Sequence, residues 1–260
     1  MSIRIFNAEA LAQRPAAVIF DLDNTLYPYP APHQAAMEAV HAKVAAILGL
    51  SGTVVDNAFD TARKDVKRQL GETAGSHSRL LYFHRMIELL GMKSQPFVAL
   101  DLEQTYWRTF LSHAELFPQV TEVLVEIRSL GLPLAMVTDL TAQIQFRKLV
   151  SFNIDRYFDY VVTSEETGVD KSGLVPYRVI GEKLGLGSGD RVWVIGDARC
   201  DTITPKDVLN AVTIQKLTQE SGWAVHDGVD AAFRNFSDLW SLFRRWADRE
   251  GAALASAAAG

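Results

Sequence analysis

The stretch AAVIFDLDNTLYP, residues 16–28, decides how this chain folds. Its first part is a short apolar run, β-branched in the middle, that stops abruptly at the polar DLDNT. A buried parallel strand meets its C-terminal loop in this way. The pattern returns as LPLAMVT ending at Thr138, as YVVT ending at Thr163, as RVWVIG ending at Gly196, and more weakly as AVTI near Val212. Between these runs the apolar spacing turns helical: Val120, Leu124, Ile127 and Leu130; Ile144, Leu149 and Val150; Val179, Ile180 and Leu184. Gly131 and Gly185 stand where a left-handed helix stop is expected. Strands and helices alternating at these lengths predict βαβ units, hence an α/β fold with a Rossmann-like parallel sheet and helices on both faces.

One interval breaks the alternation. From Pro28 to Pro118 no buried-strand run occurs, and apolar residues follow helical faces instead: Met37, Val40, Val44 and Ile47, then Leu80, Phe83, Ile87 and Leu90, then Tyr106, Trp107, Phe110 and Leu111. Breaks fall at GLSGT, GETAGS and GMKSQP, residues 49–53, 71–76 and 91–96. The expected organisation is therefore a discontinuous Rossmann-like core, residues 1–27 and 119–250, with an all-helical insertion over 28–118. Residues 251–260 are an Ala-rich tail, read as a frayed helix end or a disordered segment. Ligands of parallel α/β sheets bind outside the carboxyl ends of the strands, so an insertion there would roof the binding crevice as a cap.

Polar signals fall at the ends of separate core strands: Asp21 and Asp23 in FDLDNT, Thr138 in MVTDL, Lys171 in GVDKSG, Asp197 and Asp201 in GDARCD. A carboxylate directly after a buried strand is costly unless paired or ligated. Two bare charges about 4 Å apart repel by roughly 4 kcal/mol at an effective dielectric near 20. Gathering Asp21, Asp23 and Asp197 therefore needs compensation, and a hard divalent cation supplies it. Oxygen ligands without Cys or His suit Mg²⁺. A carboxylate nucleophile, a second carboxylate, a cation, a hydroxyl and an ammonium are together the parts of phosphoryl transfer.

In that order these motifs resemble the haloacid dehalogenase superfamily of hydrolases, in its phosphatase branch with a helical cap of the C1 type. The resemblance runs from about Ala16 to Gln215. It implies that Asp21 is the nucleophile, forming an aspartyl-phosphate, and that Asp23 first protonates the leaving oxygen and then activates water. It implies that Thr138 and Lys171 hold the transferred phosphoryl group. The Mg²⁺ ligands it implies are the Asp21 side chain, the Asp23 backbone carbonyl and Asp197, with Asp201 in or near the ligand shell; Asp201 also suits the cap of the following helix. Relatives that cleave carbon–halogen bonds generally lack the second aspartate, because halide leaves without a proton. Asp23 thus favours phosphomonoester hydrolysis over a 2-haloacid dehalogenase reaction; a phosphomutase on the same fold is the other alternative. Two positions depart from the family pattern: Ser172 follows Lys171 where proline is common, and Asp139 follows Thr138 where asparagine is frequent. TLYP after the first motif also occurs in relatives resembling pyrimidine 5′-nucleotidases.

Composition bounds the partners. With 260 residues, 48% of them hydrophobic, the chain can bury a substantial core. A formal charge of -5, from 26 Lys+Arg against 31 Asp+Glu, disfavours nucleic-acid polymers and anionic membranes. The expected partner is one small phosphorylated metabolite, a nucleoside monophosphate or a sugar phosphate, on a monomer or homodimer. The single Cys200 cannot form an internal disulfide, and MSIRIFNAEALAQRP lacks the apolar run of a signal peptide, so a cytoplasmic protein is expected. Carboxylates around Cys200 would quiet its thiol. His33, His41, His77, His84 and His113 lie in the insertion without metal-ligand spacing and read mostly as surface or packing residues, with room for one of them to touch substrate; Tyr27 and Tyr29 read as packing where the chain leaves the core, the alternative being that either ring lines the crevice.

Overall fold

Alternate residues of each apolar run face opposite sides of one sheet: Val18 and Phe20 join one buried cluster, Ala17 and Ile19 the other. The computed structural model describes residues 3–218 and 222–258. Its strands are β1 Ile3–Ile5, β2 Ala17–Phe20, β3 Leu134–Thr138, β4 Tyr160–Thr163, β5 Arg191–Gly196, β6 Asn210–Lys216 and β7 Ala231–Phe233, in the order β1-β7-β6-β5-β2-β3-β4. All neighbours are parallel except β1 on β7. The five runs read from sequence are β2 to β6, five adjacent strands of the sheet. The other two, β1 and β7, three residues each, are too short to leave a pattern.

Helices Val120–Ser129, Ala142–Ser151 and Val175–Lys183 cross between strands as the spacing predicts, and Gly131 and Gly185 take φ of +68° and +67° after the first and last of them. The helix Phe236–Ala258 covers one face, where Phe243 meets Trp193 at 5.1 Å between ring centroids and Trp240 Nε1 donates to Glu126 Oε2 at 2.9 Å. It carries the backbone through the Ala-rich tail as far as Ala258; residues 259 and 260 lie outside the described residues.

Between β2 and β3 the chain is helical: Pro30–Leu48, Gly52–Leu70, Arg79–Leu89 and Pro96–His113, with a 3₁₀ turn at Ala74–His77. These helices bury an aromatic interior of Phe59, Tyr82, Phe83, Tyr106 and Phe110. The first and last are tied by Lys43 Nζ to Asp101 Oδ1 at 2.5 Å. The two crossings between insertion and sheet lie side by side, Phe117 N donating to Leu26 O at 2.9 Å. Among the described residues no single helix is long and apolar enough to cross a membrane.

Candidate active site

From β2 the chain moves to β3 and β4 on one side, then returns to β5 on the other, so the crevice of this sheet opens at the carboxyl end of β2. Asp21 and Asp23 follow β2 there. Asn24 holds the turn in a left-handed conformation, φ +62°, and its Oδ1 accepts from Tyr29 N at 3.1 Å. Thr138 ends β3, Asp197 follows β5, and Lys171 comes from the loop after β4.

Six sequence-predicted residues meet here in two groups. In the first, Lys171 Nζ lies 2.5 Å from Asp21 Oδ1 and 2.7 Å from Asp201 Oδ1. Thr25 Oγ1 lies 2.9 Å from Asp21 Oδ2 and 3.2 Å from Asp197 Oδ1. Carboxylate oxygens of Asp21, Asp197 and Asp201 fall within 4.8 Å of one another. Asp201 also accepts from Ala198 N at 3.2 Å, so both roles read for it, helix cap and cluster member, coexist. In the second group, Asp23 sits apart from these carboxylates: Lys148 Nζ contacts its two oxygens at 2.6 and 2.9 Å, and the Tyr27 hydroxyl donates to Oδ1. Gln145 Nε2 donates to Thr138 Oγ1 at 2.6 Å, which leaves the threonine hydroxyl proton free to point at a ligand.

Electrostatics separate the groups. Burial, with Asp201 and Asp197 adding to it, pushes the Asp21 carboxyl well above the usual carboxylate range despite Lys171. Burial and Asp201 push Asp197 up to about 6. Against its own burial, Lys171 is held well above the usual lysine range by Asp201 and Asp21. Asp23 goes the other way: burial is outweighed by Lys148, aided by Tyr27, and its carboxyl is held below the usual range. Burial and Asp201 push the Cys200 thiol up to about 12, which makes it inert, as its surroundings in the sequence imply.

The first group fits a metal ion. Three carboxylates against one ammonium leave a formal charge of −3 + 1 = −2 in a buried place, and a divalent cation cancels it. The donors are oxygen only, the set that hard cations take. Asp23 offers this cluster no side-chain oxygen; its carboxylate is committed to Lys148.

Several residues here escape sequence reasoning. Lys148 is fully buried, whereas Val150, read as part of an apolar face, is 65% exposed. A lysine is almost never fully buried unless paired, so this inversion marks a site. Thr25, Gln145 and Tyr177, whose hydroxyl donates to Asp201 Oδ1 at 3.1 Å, give no signal in one sequence. Tyr27, read as packing, packs and also holds Asp23, its ring 5.0 Å from Phe152. His77, read as a surface or packing residue, bonds Asp170 at 2.8 Å beside Lys171. A cavity of about 460 Å³ opens over the site, lined by Asp21, Asp23, Thr138, Lys171 and Asp197 from the sheet and by helices of the insertion.

An α/β sheet with a buried acidic cluster, a paired lysine and a second caged carboxylate at its carboxyl edge is the site of a hydrolase that handles charged oxygen. The chain belongs to the haloacid dehalogenase-like hydrolases, whose family model matches residues 15–206. It is a phosphatase of that family. A ribulose-1,5-bisphosphate 5-phosphatase of Halopiger xanaduensis is 39% identical over 187 residues, 71% of this chain and 78% of that protein. A glyceraldehyde 3-phosphate phosphatase of Methanopyrus kandleri is 27% identical over 200 residues, 76% of this chain and 82% of that one. Among solved structures, the HAD-hydrolase YfnB of Bacillus subtilis, bound to magnesium, matches with a TM-score of 0.65 at 17% identity, covering 89% of this chain and 100% of that chain. That likeness is one of fold.

Proposed function

We propose that the protein hydrolyses a small sugar phosphate through an aspartyl-phosphate on Asp21, with Mg²⁺ held by Asp21, Asp197, Asp201 and the Asp23 backbone carbonyl. The observation that carries this reading is the unequal treatment of two aspartates two positions apart. Asp21 is buried with Lys171 among like charges, while Asp23 is caged by Lys148 and Tyr27 at the cavity wall. Separate partners, Lys171 for one and Lys148 with Tyr27 for the other, let one site keep a nucleophile and a proton shuttle apart.

An Asp21 oxygen attacks phosphorus, the bond from phosphorus to the sugar oxygen breaks, and Asp23 delivers a proton to that oxygen. Water then attacks the aspartyl-phosphate, giving its proton to Asp23, and inorganic phosphate leaves as Asp21 is restored. Lys171 orients Asp21 and, with Thr138, holds the phosphoryl oxygens. When bound, Mg²⁺ supplies charge neutralisation to the phosphoryl oxygens and to the carboxylate cluster.

Residues 28–118 act as a cap over a core formed by 1–27 and 119–250, moving about Tyr27–Pro30 and Glu115–Pro118 to exclude water. The relatives that act on sugar phosphates favour that class over nucleotides. We place the enzyme in the cytoplasm, as a monomer or homodimer.

Replacing Asp21 with asparagine is the direct test, read as phosphate release from ribulose 5-phosphate and p-nitrophenyl phosphate with Mg²⁺ or EDTA. The variant should lose about 10³-fold or more of kcat while keeping its circular dichroism spectrum. Activity within tenfold of wild type would remove the nucleophile from this reading.

A further inference from the structure

The cavity has a charged wall that phosphoryl transfer at Asp21 does not use. Arg63 and Lys67, one turn apart on the helix Gly52–Leu70, and Arg79, which opens the helix Arg79–Leu89, line it from the insertion. Among the described residues, no carboxylate oxygen comes within 4 Å of their nitrogens. Asp56 and Asp60 line the same wall, but Asp56 Oδ1 is occupied by His41 Nε2 at 2.7 Å.

Arg79 is held entirely by neutral groups. Nη1 donates to His77 O at 2.7 Å and Nη2 donates to the Tyr29 hydroxyl. Its guanidinium lies 5.3 Å from the Tyr82 ring, 5.5 Å from Tyr106 and 5.7 Å from Trp107, and its Nε is buried without a partner. The three cations also feel one another, since burial, Arg63 and Arg79 together hold Lys67 below the usual lysine range. His33, its Nδ1 2.7 Å from the Tyr106 hydroxyl, adds no charge: burial and the two arginines push it down to about 4. A fixed guanidinium and two neighbouring cations that face the cavity without a carboxylate in ion-pair contact are arranged for an anion that arrives with the ligand.

We propose that Arg63, Lys67 and Arg79 form a subsite for a second anionic group of the substrate, a phosphate or a carboxylate, distinct from the phosphoryl group transferred to Asp21. The inference rests on the hydrolytic reading of the site and narrows it to small phosphomonoesters with a charged far end, a size that suits a cavity of about 460 Å³.

Two substrate pairs test it: ribulose 1,5-bisphosphate against ribulose 5-phosphate, and 3-phosphoglycerate against glyceraldehyde 3-phosphate. In at least one pair the member with the second anion should show about tenfold or greater kcat/KM, carried mainly by KM, and the responding pair names the anion. Arg63→Gln with Lys67→Gln, on the accessible side of the helix, should collapse that ratio about tenfold or more. Arg79→Lys, which keeps the charge but loses the planar fork, should lower it less. Lys64→Gln removes a charge from the same helix away from the cavity and should leave the ratio unchanged. Equal efficiency within both pairs overturns the subsite, as does a ratio that survives the double variant within about twofold or falls as far in Lys64→Gln. Absence of phosphate release from all four esters and from p-nitrophenyl phosphate overturns the hydrolytic reading instead.

Discussion

Replacing Lys148 with methionine isolates the acid–base half of the site, because methionine keeps most of the side chain's length and removes its charge. Lys148 is buried behind Asp23 and does not line the cavity, so the change leaves the substrate's surroundings in place. What is lost is a pair of contacts at 2.6 and 2.9 Å from an ammonium to both oxygens of Asp23. A hydrogen bond to a charged group contributes about 1.5–3 kcal/mol, and breaking a fully buried pair costs about 3–5 kcal/mol. The Asp23 side chain retains 25% exposure and keeps the Tyr27 hydroxyl, which puts the loss near the lower figures, about 2 kcal/mol or roughly 30-fold. The sign follows from the competing causes: burial raises the Asp23 carboxyl, and Lys148 is the main influence holding it down. Without Lys148 the carboxyl keeps its proton to higher pH, and the step that needs Asp23 as a base slows most. Rapid-quench assays with p-nitrophenyl phosphate should then show a burst of about one nitrophenol per enzyme and a steady-state kcat about 30-fold below wild type. The acid limb of kcat should move to higher pH, KM should change little, and Lys148→Arg should recover part of the rate. A steady-state rate within about threefold of wild type, with no burst and an unmoved acid limb, would refute the reasoning.

Two further predictions concern stability. A Cβ on Gly196 would stand 2.3 Å from Asp201 Cβ, so Gly196→Ala must push Asp201 and with it Lys171; a cost of about 1–3 kcal/mol, a melting temperature several degrees lower and a large loss of kcat are expected, and unchanged calorimetry would contradict the packing described. Lys216 is buried with Nζ 2.8 Å from Leu217 O, and burial pushes it down to about 8. Between that value and the ordinary one of 10.5 the unfolded chain binds more protons than the folded one, so this residue's contribution to stability rises with pH across the window. Lys216→Met should therefore gain on wild type by about 1–3 kcal/mol more at pH 7 than at pH 10 in urea melts, and a pH-independent difference would contradict it.

The central strands and the chemistry at their ends were legible for one physical reason. A parallel strand covered on both faces must be a continuous apolar run, so a polar residue at its end stands out. Asp21, Thr138 and Asp197 carry that signal directly. The strands Ile3–Ile5 and Ala231–Phe233 do not, being short and, in the first case, largely exposed. Hydropathy also misreads residues buried by pairing. Lys148 resembles the solvated side of its helix until Asp23, 125 positions away, is folded against it. Arg63 and Lys67 likewise look like an ordinary charged helix surface, because the periodicity that buries Val55, Phe59, Ala62 and Val66 says nothing about which cavity the opposite residues overlook.

The two departures from the family pattern make contacts to Lys171 and its neighbours that only the folded chain brings together. Asp139 keeps the accepting oxygen an asparagine would offer: its Oδ1 accepts from Lys171 N at 2.8 Å, which fixes the backbone that carries the ammonium. Ser172, in place of proline, donates through Oγ to Glu72 Oε2 at 2.6 Å, while Asp170 N donates to Glu72 O at 3.1 Å and the Asp170 side chain meets His77. Both neighbours of Lys171 are therefore tied to the 71–77 segment of the insertion, where a proline would restrict φ but offer no hydroxyl. The exposed Ser172–Glu72 contact is worth little alone, about 1 kcal/mol or less, and the His77–Asp170 pair beside it is partly buried. Acting on both sides of one buried lysine, they make its position depend on the insertion being seated over the sheet. Lys171 Nζ bonds Asp21 and Asp201 in that same arrangement, so Ser172, the departure that reaches the insertion, links the placement of the insertion to the nucleophile's charge partner.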